Sequence, residues 1–303
     1  MKKLFTLLLT LLLLAQPAGA LGETVVTSFF PIYVFALNLT DGIDGLEVAS
    51  LTAPDAGCLH DYQLQTGDMK LLARANVFLI NGAGMEGYLA GVFEAYPELP
   101  VVDASHGVTL LESCEDGHGH DHDHDHDHGH EVNAHIWLDA ENAIAMVENL
   151  AEGLIAQLPQ HAQAISDNRD AYVARLRALD AELTEGLTGL ARHDIITFHE
   201  AFPYFAEAYG LHVAAVLNHE PDDALSPRAL AELCEEVAHH GTPPLFVEPQ
   251  YEDIAAQIVA RETGAEIHVL DPVVTGPEGE IPLRYYEDVM RANMAVLQAA
   301  LGQ

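Results

Sequence analysis

The sequence predicts an α/β protein of two parallel-sheet lobes joined by one long helix. Short β-branched or aromatic runs alternate with helical stretches, which is the pattern of parallel strands connected by helices. Between His161 and about Leu187 there is no strand signal, and apolar residues recur at helical intervals. At ~1.5 Å per residue, this helix would be about 40 Å long, enough to run the length of a two-lobed protein.

The predicted elements divide the chain into two lobes and a link. The predicted strands are Thr24–Ser28, Leu46–Leu51, Val77–Asn81, Asp194–Phe198, Val213–Val216, Pro244–Glu248 and Glu266–Leu270. The other predicted helices are Pro31–Leu39, Gln65–Arg74, Glu141–Leu158, Pro227–His240, Glu252–Thr263 and about Arg284–Leu301. Pro159 favours a new helix start just before the long helix. The N-terminal lobe is therefore expected at 21–160, the linking helix at 161–189 and the C-terminal lobe at 190–303.

The first twenty residues predict a cleaved signal peptide. Lys2 and Lys3 precede an apolar run, and Ala18-Gly19-Ala20 suits signal peptidase. The run is short for a membrane span, which needs about 20 residues. No cysteine lies near the cleavage site, so a lipid-anchored mature protein is not expected. A bacterial periplasm is the predicted location.

The charge balance excludes several classes of partner. The 303 residues include 47 acidic and only 12 Lys or Arg residues, for a formal net charge of −35. Nucleic acids and anionic membranes are unsuitable partners, because both are bound through Lys and Arg. With 49% hydrophobic residues the chain can still bury a core. A cationic ligand, including a metal ion, fits this charge.

One internal tract, residues 117–130, alternates histidine with aspartate or glycine. Such a sequence cannot build a packed core and predicts a mobile loop. Neutral imidazoles bind Zn²⁺, Cu²⁺ and Ni²⁺, so the tract is interpreted as an accessory metal loop that collects, buffers or senses metal; a polar spacer is the alternative. Its histidines are His118, His120, His122, His124, His126, His128 and His130.

Outside the tract, three histidines and one aspartate are candidate metal ligands. His60 lies in the loop after the second predicted strand, and His135 follows the tract. His199 and Asp271 directly end apolar strands. Ligands of open parallel sheets bind beyond the carboxyl ends of the strands. Because each lobe supplies two donors, a site between the lobes can use all four.

The sequence segments around these donors resemble those of the metal-specific solute-binding proteins of bacterial ABC importers, in particular the zinc-uptake type. The resemblance covers essentially the whole mature chain. Its matching segments are Thr27–Tyr33, His60–Tyr62, Asn81–Glu86, His135–Asp139, Phe198–Phe202 and Leu270–Pro272.

The resemblance implies two α/β lobes joined by a rigid long helix, with metal at their interface. It also implies that His60, His135, His199 and Asp271 are the metal ligands, because they match the ligand positions of the family. Some zinc-type members use water or another carboxylate at the last of these positions. Three histidines and a carboxylate suit tetrahedral Zn²⁺. Manganese-type members tend to have a carboxylate in place of His199. A histidine-rich loop before the second ligand is also typical of the zinc type.

The function that follows is binding of Zn²⁺ as cargo and delivery to an inner-membrane ABC permease by a monomer with no enzymatic activity. A manganese or other divalent-metal protein of the same type is the alternative. A zinc hydrolase is disfavoured because no His-Glu-x-x-His pattern occurs and four protein ligands leave no room for an activated water. A secreted metal buffer fits the tract but makes the four-donor set superfluous.

Several other residues carry open interpretations. Cys58 is either a soft metal ligand or an inert or disulfide-bonded thiol. Together with Cys114 and Cys234 it allows one disulfide or none, and the spacing does not choose. Glu200 either orients a ligand histidine or is an acid favoured by a helix dipole.

Three further predictions concern residues beside the candidate site or on the surface. Glu248 is expected to line the cleft without touching metal. Trp137 is expected to pack beside His135. Surface positions are expected for His219-Glu220 and His239-His240.

Overall fold

The computed structural model describes residues 22–57, 59, 62–113, 132–217, 226–250, 254–277 and 279–302. Within them the chain forms two four-stranded sheets, and every strand pairing is parallel. The N-terminal sheet contains β1 (Glu23–Thr27), β2 (Leu46–Ser50), β3 (Val77–Ile80) and β4 (Val101–Asp103). The C-terminal sheet contains β5 (Asp194–Thr197), β6 (His212–Val216), β7 (Leu245–Val247) and β8 (Ile267–Val269). The predicted signal peptide lies outside the described residues.

Helices connect these strands and cover the sheets. They are α1 (Phe30–Thr40), α2 (Thr66–Leu72), α3 (Leu89–Ala95), α4 (Ala140–Gln157), α5 (Ala162–Leu187), α6 (Pro203–Ala208), α7 (Pro227–His239), α8 (Ile254–Thr263) and α9 (Tyr285–Leu301). None of the helices in the described parts of the chain is long and apolar enough to cross a bilayer.

Both sheets have the same strand order, which defines where a ligand can bind. The orders are β2-β1-β3-β4 and β6-β5-β7-β8. In each lobe the second strand pairs with one side of the first strand, and the third strand pairs with its other side. The strand order therefore reverses between β1 and β3 and between β5 and β7. In open parallel sheets, ligands bind at the carboxyl ends beside such a reversal.

The long linking helix is confirmed as α5, with 26 residues. The apolar positions that predicted it are all buried, namely Ile165, Tyr172, Leu176, Leu179, Leu183 and Leu187. The helix packs against α1 and α4 on the N-terminal side and α9 on the C-terminal side. Its buried faces therefore join the two lobes, and the predicted α/β fold of two parallel-sheet lobes is confirmed.

The hydrophobic core follows the two faces of each sheet. Val25 and Leu79 point into a large core that is continuous through α5 and both lobes. Their chain neighbours Val26 and Phe78 point the other way, into a smaller core beneath α2 and α3. This alternation is the period-two pattern of strands buried on both faces. A third core lies on the outer face of the C-terminal sheet, beneath α7 and α8.

The sequence prediction missed three short elements: β4, α3 and α6. Strand β4 has only three residues, and none of them is fully buried. The two helices have seven and six residues, too few to show a clear helical period. All seven predicted strands are present, with ends that differ from the prediction by at most one residue.

Candidate metal site

The C-terminal half of the candidate site lies where the strand order reverses. His199 follows β5 and Glu248 follows β7, so the neighbouring strands carry them to the same edge of the sheet. Nδ1 of His199 lies 2.6 Å from Oε1 of Glu248. Gln250 donates from its side-chain amide to the other oxygen of Glu248. The carboxylate, which is nearly buried, is thus satisfied on both oxygens.

His135 joins this edge from the other half of the chain. It precedes the short 3₁₀ turn Ile136–Leu138, and only 2% of its surface is exposed. Its ring centroid lies 4.8 Å from that of His199, with the two planes 78° apart. The structure therefore brings two of the four predicted donors together. His135 precedes α5 in the chain, and His199 follows it.

Trp137 packs beside His135, as predicted, with ring centroids 5.2 Å apart. Its indole N–H donates to the carbonyl oxygen of Pro272 at 2.7 Å. Its own carbonyl accepts a hydrogen bond from the Tyr286 hydroxyl, also at 2.7 Å. Trp137 therefore ties the His135 segment to the segment that carries Asp271.

Asp271 is held by backbone and side-chain contacts beyond β8. Its backbone N–H donates to Oδ1 of Asn293 at 2.9 Å, and its carbonyl accepts from Nδ2 of Asn293 at 2.7 Å. Its Oδ1 accepts the backbone N–H of Val273 at 2.8 Å. Val273 is buried and has φ 62°, a strained conformation for a β-branched residue.

The environment of Asp271 disfavours its charge. Burial raises the pKa of this carboxyl, the Val273 N–H opposes the shift, and the Glu248 carboxylate adds to it. A bound cation would favour the charged form. Among the described residues, no group of three or more His, Cys, Asp or Glu side chains is gathered closely enough to hold a metal.

Several residues named by the sequence prediction lie outside the described residues. They are His60, the histidine tract from His118 to His130, Cys58, Cys114, His219 and Glu220. The ligand set therefore stays a prediction. Cys234, on α7, is a free thiol. His239 and His240 lie at the end of α7, where the latter contacts Glu236 at 3.0 Å.

Two contacts to the histidines were not anticipated from the sequence. Glu248 was expected to line the cleft, and the structure places its carboxylate against His199. Glu200, the adjacent acid considered for orienting a ligand histidine, accepts a hydrogen bond from the Asn133 side chain through its backbone carbonyl. Asn133 also lies 3.1 Å from Nδ1 of His135, through its Oδ1. The available signal for Asn133 was its position two residues before a ligand candidate.

The loop after β3 supports the His135 segment from the N-terminal sheet. Nδ2 of Asn81 donates to the carbonyl of Ala134 at 3.0 Å. The buried carboxylate of Glu86 accepts the backbone N–H groups of Asn81 and Gly82 at 2.7 and 3.1 Å. Burial raises the pKa of Glu86 to about 7, although both N–H groups favour the charged form.

Comparison with known proteins identifies relatives along nearly the whole chain. The family model described as zinc-uptake complex component A, periplasmic, matches residues 25–300. The zinc-binding lipoprotein AdcA of Streptococcus pneumoniae is 29% identical over 284 residues, which cover 92% of this chain and 56% of AdcA. The iron-binding protein YfeA of Yersinia pestis is 26% identical over 284 residues, covering 92% of this chain and 86% of YfeA.

Solved structures agree with these sequence relatives. Zn(II)-bound AdcA from Streptococcus pneumoniae matches with a TM-score of 0.77 and 27% identity, covering 93% of this chain and 58% of that one. FpvC from Pseudomonas aeruginosa in complex with Mn²⁺ matches with a TM-score of 0.79, covering 92% and 98%. At 24% identity, that second likeness shows the fold alone.

The chain spans little more than half the length of the AdcA relatives that it matches. The family model, in contrast, is matched from β1 into α9, which includes both sheets and α5. This chain therefore belongs to the family of zinc-uptake complex component A, the solute-binding proteins of ABC metal importers.

Proposed function

We propose that this protein binds Zn²⁺ between its lobes and delivers it to the permease of an ABC importer. The observation that carries the proposal is the contact between His135 and His199, whose ring centroids lie 4.8 Å apart although one precedes α5 and the other follows it. Two imidazoles at this separation can bind a common ion. The proposed ligands are His60, His135, His199 and Asp271.

The contacts of His199 support a role as a metal ligand. A ligand histidine normally donates its second ring N–H to a carboxylate, carbonyl or water, which fixes the ring and raises its basicity. Glu248 provides such an acceptor at Nδ1, at 2.6 Å. The neutral ring then carries its lone pair on Nε2, the atom proposed to bind the metal.

The choice of zinc rests on the chemistry of the proposed donors. Among the relatives, AdcA is described as zinc-binding and YfeA as iron-binding, and FpvC has been solved with Mn²⁺. Family membership therefore does not select the metal. Three imidazole nitrogens and one carboxylate oxygen favour Zn²⁺, whereas Mn²⁺ prefers oxygen donors. His199 is central to this choice, since a carboxylate there would favour manganese.

The remaining parts of the proposal follow from the sequence and the family. The histidine tract is proposed to collect metal beside the ligand site. Family members work with ABC importer permeases, so the proposed partner is an inner-membrane permease. We propose export by the signal peptide, a periplasmic monomer, and no catalytic step. The proposed division is an N-terminal lobe to residue 160, a linking helix at 161–189 and a C-terminal lobe from 190.

The proposal predicts different effects for ligand and tract variants in zinc titrations of the mature protein. His135→Ala and His199→Ala should each raise the Kd for Zn²⁺ by more than the ~10- to 100-fold typical of losing an outer contact. Deleting residues 117–130 should lower the total zinc bound but leave the tightest site intact. His212→Ala is the matched control, because His212 is an exposed histidine at the opposite, amino-terminal end of the C-terminal sheet.

Metal analysis after chelation and refilling decides between metals. A protein refilled from an equimolar mixture should contain zinc rather than manganese. Preferential manganese uptake would overturn the zinc assignment. Equal affinity losses in the tract deletion and the ligand variants would overturn the two-site description.

A further inference from the structure

Asn133 contacts both halves of the candidate site through a single side-chain amide. Only 2% of its surface is exposed. Its Oδ1 accepts the backbone N–H of His135 at 2.9 Å and lies 3.1 Å from Nδ1 of the same residue. Its Nδ2 donates to the carbonyl of Glu200, next to His199, at 2.7 Å. One amide therefore reaches a histidine of one lobe and the histidine-bearing segment of the other.

The partners of this amide fix which way round it lies. The carbonyl of Glu200 can only accept, so the group facing it must be the amide NH₂. The backbone N–H of His135 can only donate, so the group facing it must be the amide oxygen. The two assignments agree. The orientation of Asn133 is thus determined by backbone groups and does not depend on the tautomer of the histidine.

This orientation determines the proton position on His135. An amide oxygen accepts but cannot donate, so the ring nitrogen 3.1 Å from it carries the proton. In the neutral imidazole the lone pair is then on Nε2. A histidine can bind a metal ion only through a nitrogen without a proton. Asn133 therefore selects the atom through which His135 can act as a ligand.

The backbone of Asn133 is also held from both lobes, so the amide has little freedom to turn away. Its N–H donates to the carbonyl of Leu111 at 2.9 Å, and its carbonyl accepts the hydroxyl of Tyr204 at 2.9 Å. The Tyr204 hydroxyl in turn accepts the N–H of Leu111 at 2.9 Å. On the other side, Asn81 holds the carbonyl of Ala134.

We propose that Asn133 is a positioning residue that fixes the metal-binding tautomer of His135 and makes it depend on the contact between the lobes. If Glu200 moves away, the amide loses the acceptor of its NH₂, which is one of the two groups that set its orientation, and Oδ1 is held less firmly against His135. His199 is held differently, by the carboxylate of Glu248 within its own lobe. Separation of the lobes would thus loosen His135 first. This inference rests on the proposed function, since it assigns His135 to metal.

The test combines zinc titration with ¹⁵N NMR of histidine-labelled mature protein. In metal-free wild type, above the pH at which imidazoles are protonated, His135 should appear as the Nδ1–H tautomer, with its signals assigned from His135→Gln. Asn133→Ala should give a mixture of tautomers and a ~10- to 100-fold higher Kd for zinc. Asn133→Asp keeps an acceptor and should restore the Nδ1–H tautomer.

The matched control is Asn149→Ala. Asn149 also uses its amide NH₂ on backbone carbonyls, those of Ala104 and His106 at 2.8 and 2.9 Å, and its carbonyl partners lie beyond β4. Its loss should leave the His135 tautomer unchanged and the Kd within about twofold, as expected for a distant site.

Two results would overturn the inference. One is an unchanged tautomer and affinity in Asn133→Ala. The other is an Asn133→Asp protein that folds but does not regain the Nδ1–H form. Failure of the proposed function would look different. Wild-type protein would then not bind zinc, while the tautomer in metal-free protein would still decide what Asn133 does.

Discussion

Glu248 and His199 make a direct side-chain contact in the candidate site. The two residues are 49 positions apart in the chain, yet their side chains meet at 2.6 Å. The sequence placed both at strand ends but did not pair them. The pairing follows from the strand order, because β5 and β7 are neighbours in the sheet although β6 lies between them in the chain. The adjacent residue Glu200 was the simpler choice without that order.

This contact predicts a graded effect of substitutions at Glu248. Glu248→Ala removes the acceptor for His199 Nδ1 and should raise the Kd for zinc by ~10- to 100-fold. Glu248→Gln keeps an oxygen acceptor but loses the charge, so its Kd should lie between those of wild type and the alanine variant. Competition titration with a zinc chelator measures all three.

Glu200→Gln is the comparison that separates the two acids. It should weaken zinc binding less than Glu248→Ala, because the Glu200 backbone carbonyl bound by Asn133 is retained. The assignment of Glu248 as the acceptor for His199 would be contradicted if Glu248→Ala bound zinc like wild type while Glu200→Gln bound it more weakly.

At the scale of elements, the loop after β3 depends on an unusual backbone path. Gly82, Ala83 and Gly84 have φ values of 77°, 51° and 81°. A Cβ on Gly82 would lie 1.9 Å from Oδ1 of Asp103, so no other residue fits this position without a shift. The path returns Glu86 to the N–H groups at the end of the strand.

Glu86 should make stability depend on pH. Its pKa in the folded protein is raised to about 7, chiefly by burial and further by Asp103, above the ordinary value of 4.5. A raised carboxyl pKa means that its contribution to stability is fully present below about pH 4.5 and is lost as pH rises through about 7. The free energy of unfolding of wild type minus that of Glu86→Gln should fall by up to about 3 kcal/mol across this window.

Urea unfolding at several pH values measures this difference. Glu94→Gln is the control, since Glu94 is exposed on α3 and its substitution should not alter the pH dependence. A difference between wild type and Glu86→Gln that stays constant with pH would show that burial does not favour the protonated carboxyl.

Element length explains how much of the fold the sequence could predict. Helix α5 was predicted to within one residue, because 26 residues give several helical periods with apolar residues on one face. Strand β4 was missed because it has three partly exposed residues and no alternation to detect. Short elements are stabilised by their neighbours more than by their own sequence, so local pattern carries little information about them.

At the scale of the whole molecule, the meeting of His135 and His199 depends on how the lobes pack. The sequence identified His199 from its position at a strand end and His135 from its position after the histidine tract. Their approach could not be predicted from spacing, since it requires the two sheets to share the core around α5. Asn133 was missed for the same reason, because its role becomes visible only when Glu200 lies beside it.

Arg175 makes the sharing of α5 between lobes explicit. Its Nε donates to Oε1 of Glu287 on α9 at 2.8 Å, and its Nη2 donates to Oδ1 of Asn38 on α1. Its guanidinium also lies 4.7 Å from the ring centroid of Tyr172, a cation–π contact. Glu287 is fully buried, and Arg175 is the cation paired with its carboxylate. A single side chain thus links helices of both lobes.

Arg175→Met should therefore destabilise the whole molecule. It leaves a buried carboxylate without a cation, which typically costs about 3–5 kcal/mol, and the lower end is expected because Arg175 is partly exposed. The double variant Arg175→Met/Glu287→Met should recover most of this loss, since no buried charge remains. Hydrogen exchange should become faster in both α1 and α9, because Arg175 holds both helices.

Arg291→Met is the matched control for Arg175→Met. Arg291 also joins α9 to α5, through Glu182 at 2.8 Å, but its two carboxylate partners, Glu182 and Asp288, are on the surface. Its loss should change the free energy of unfolding by no more than about 1 kcal/mol. If the two single variants were equally stable, or if the double variant were no more stable than Arg175→Met, the buried pair would not be what holds the lobes to α5. A faster exchange confined to α9 would show that Arg175 anchors one lobe alone.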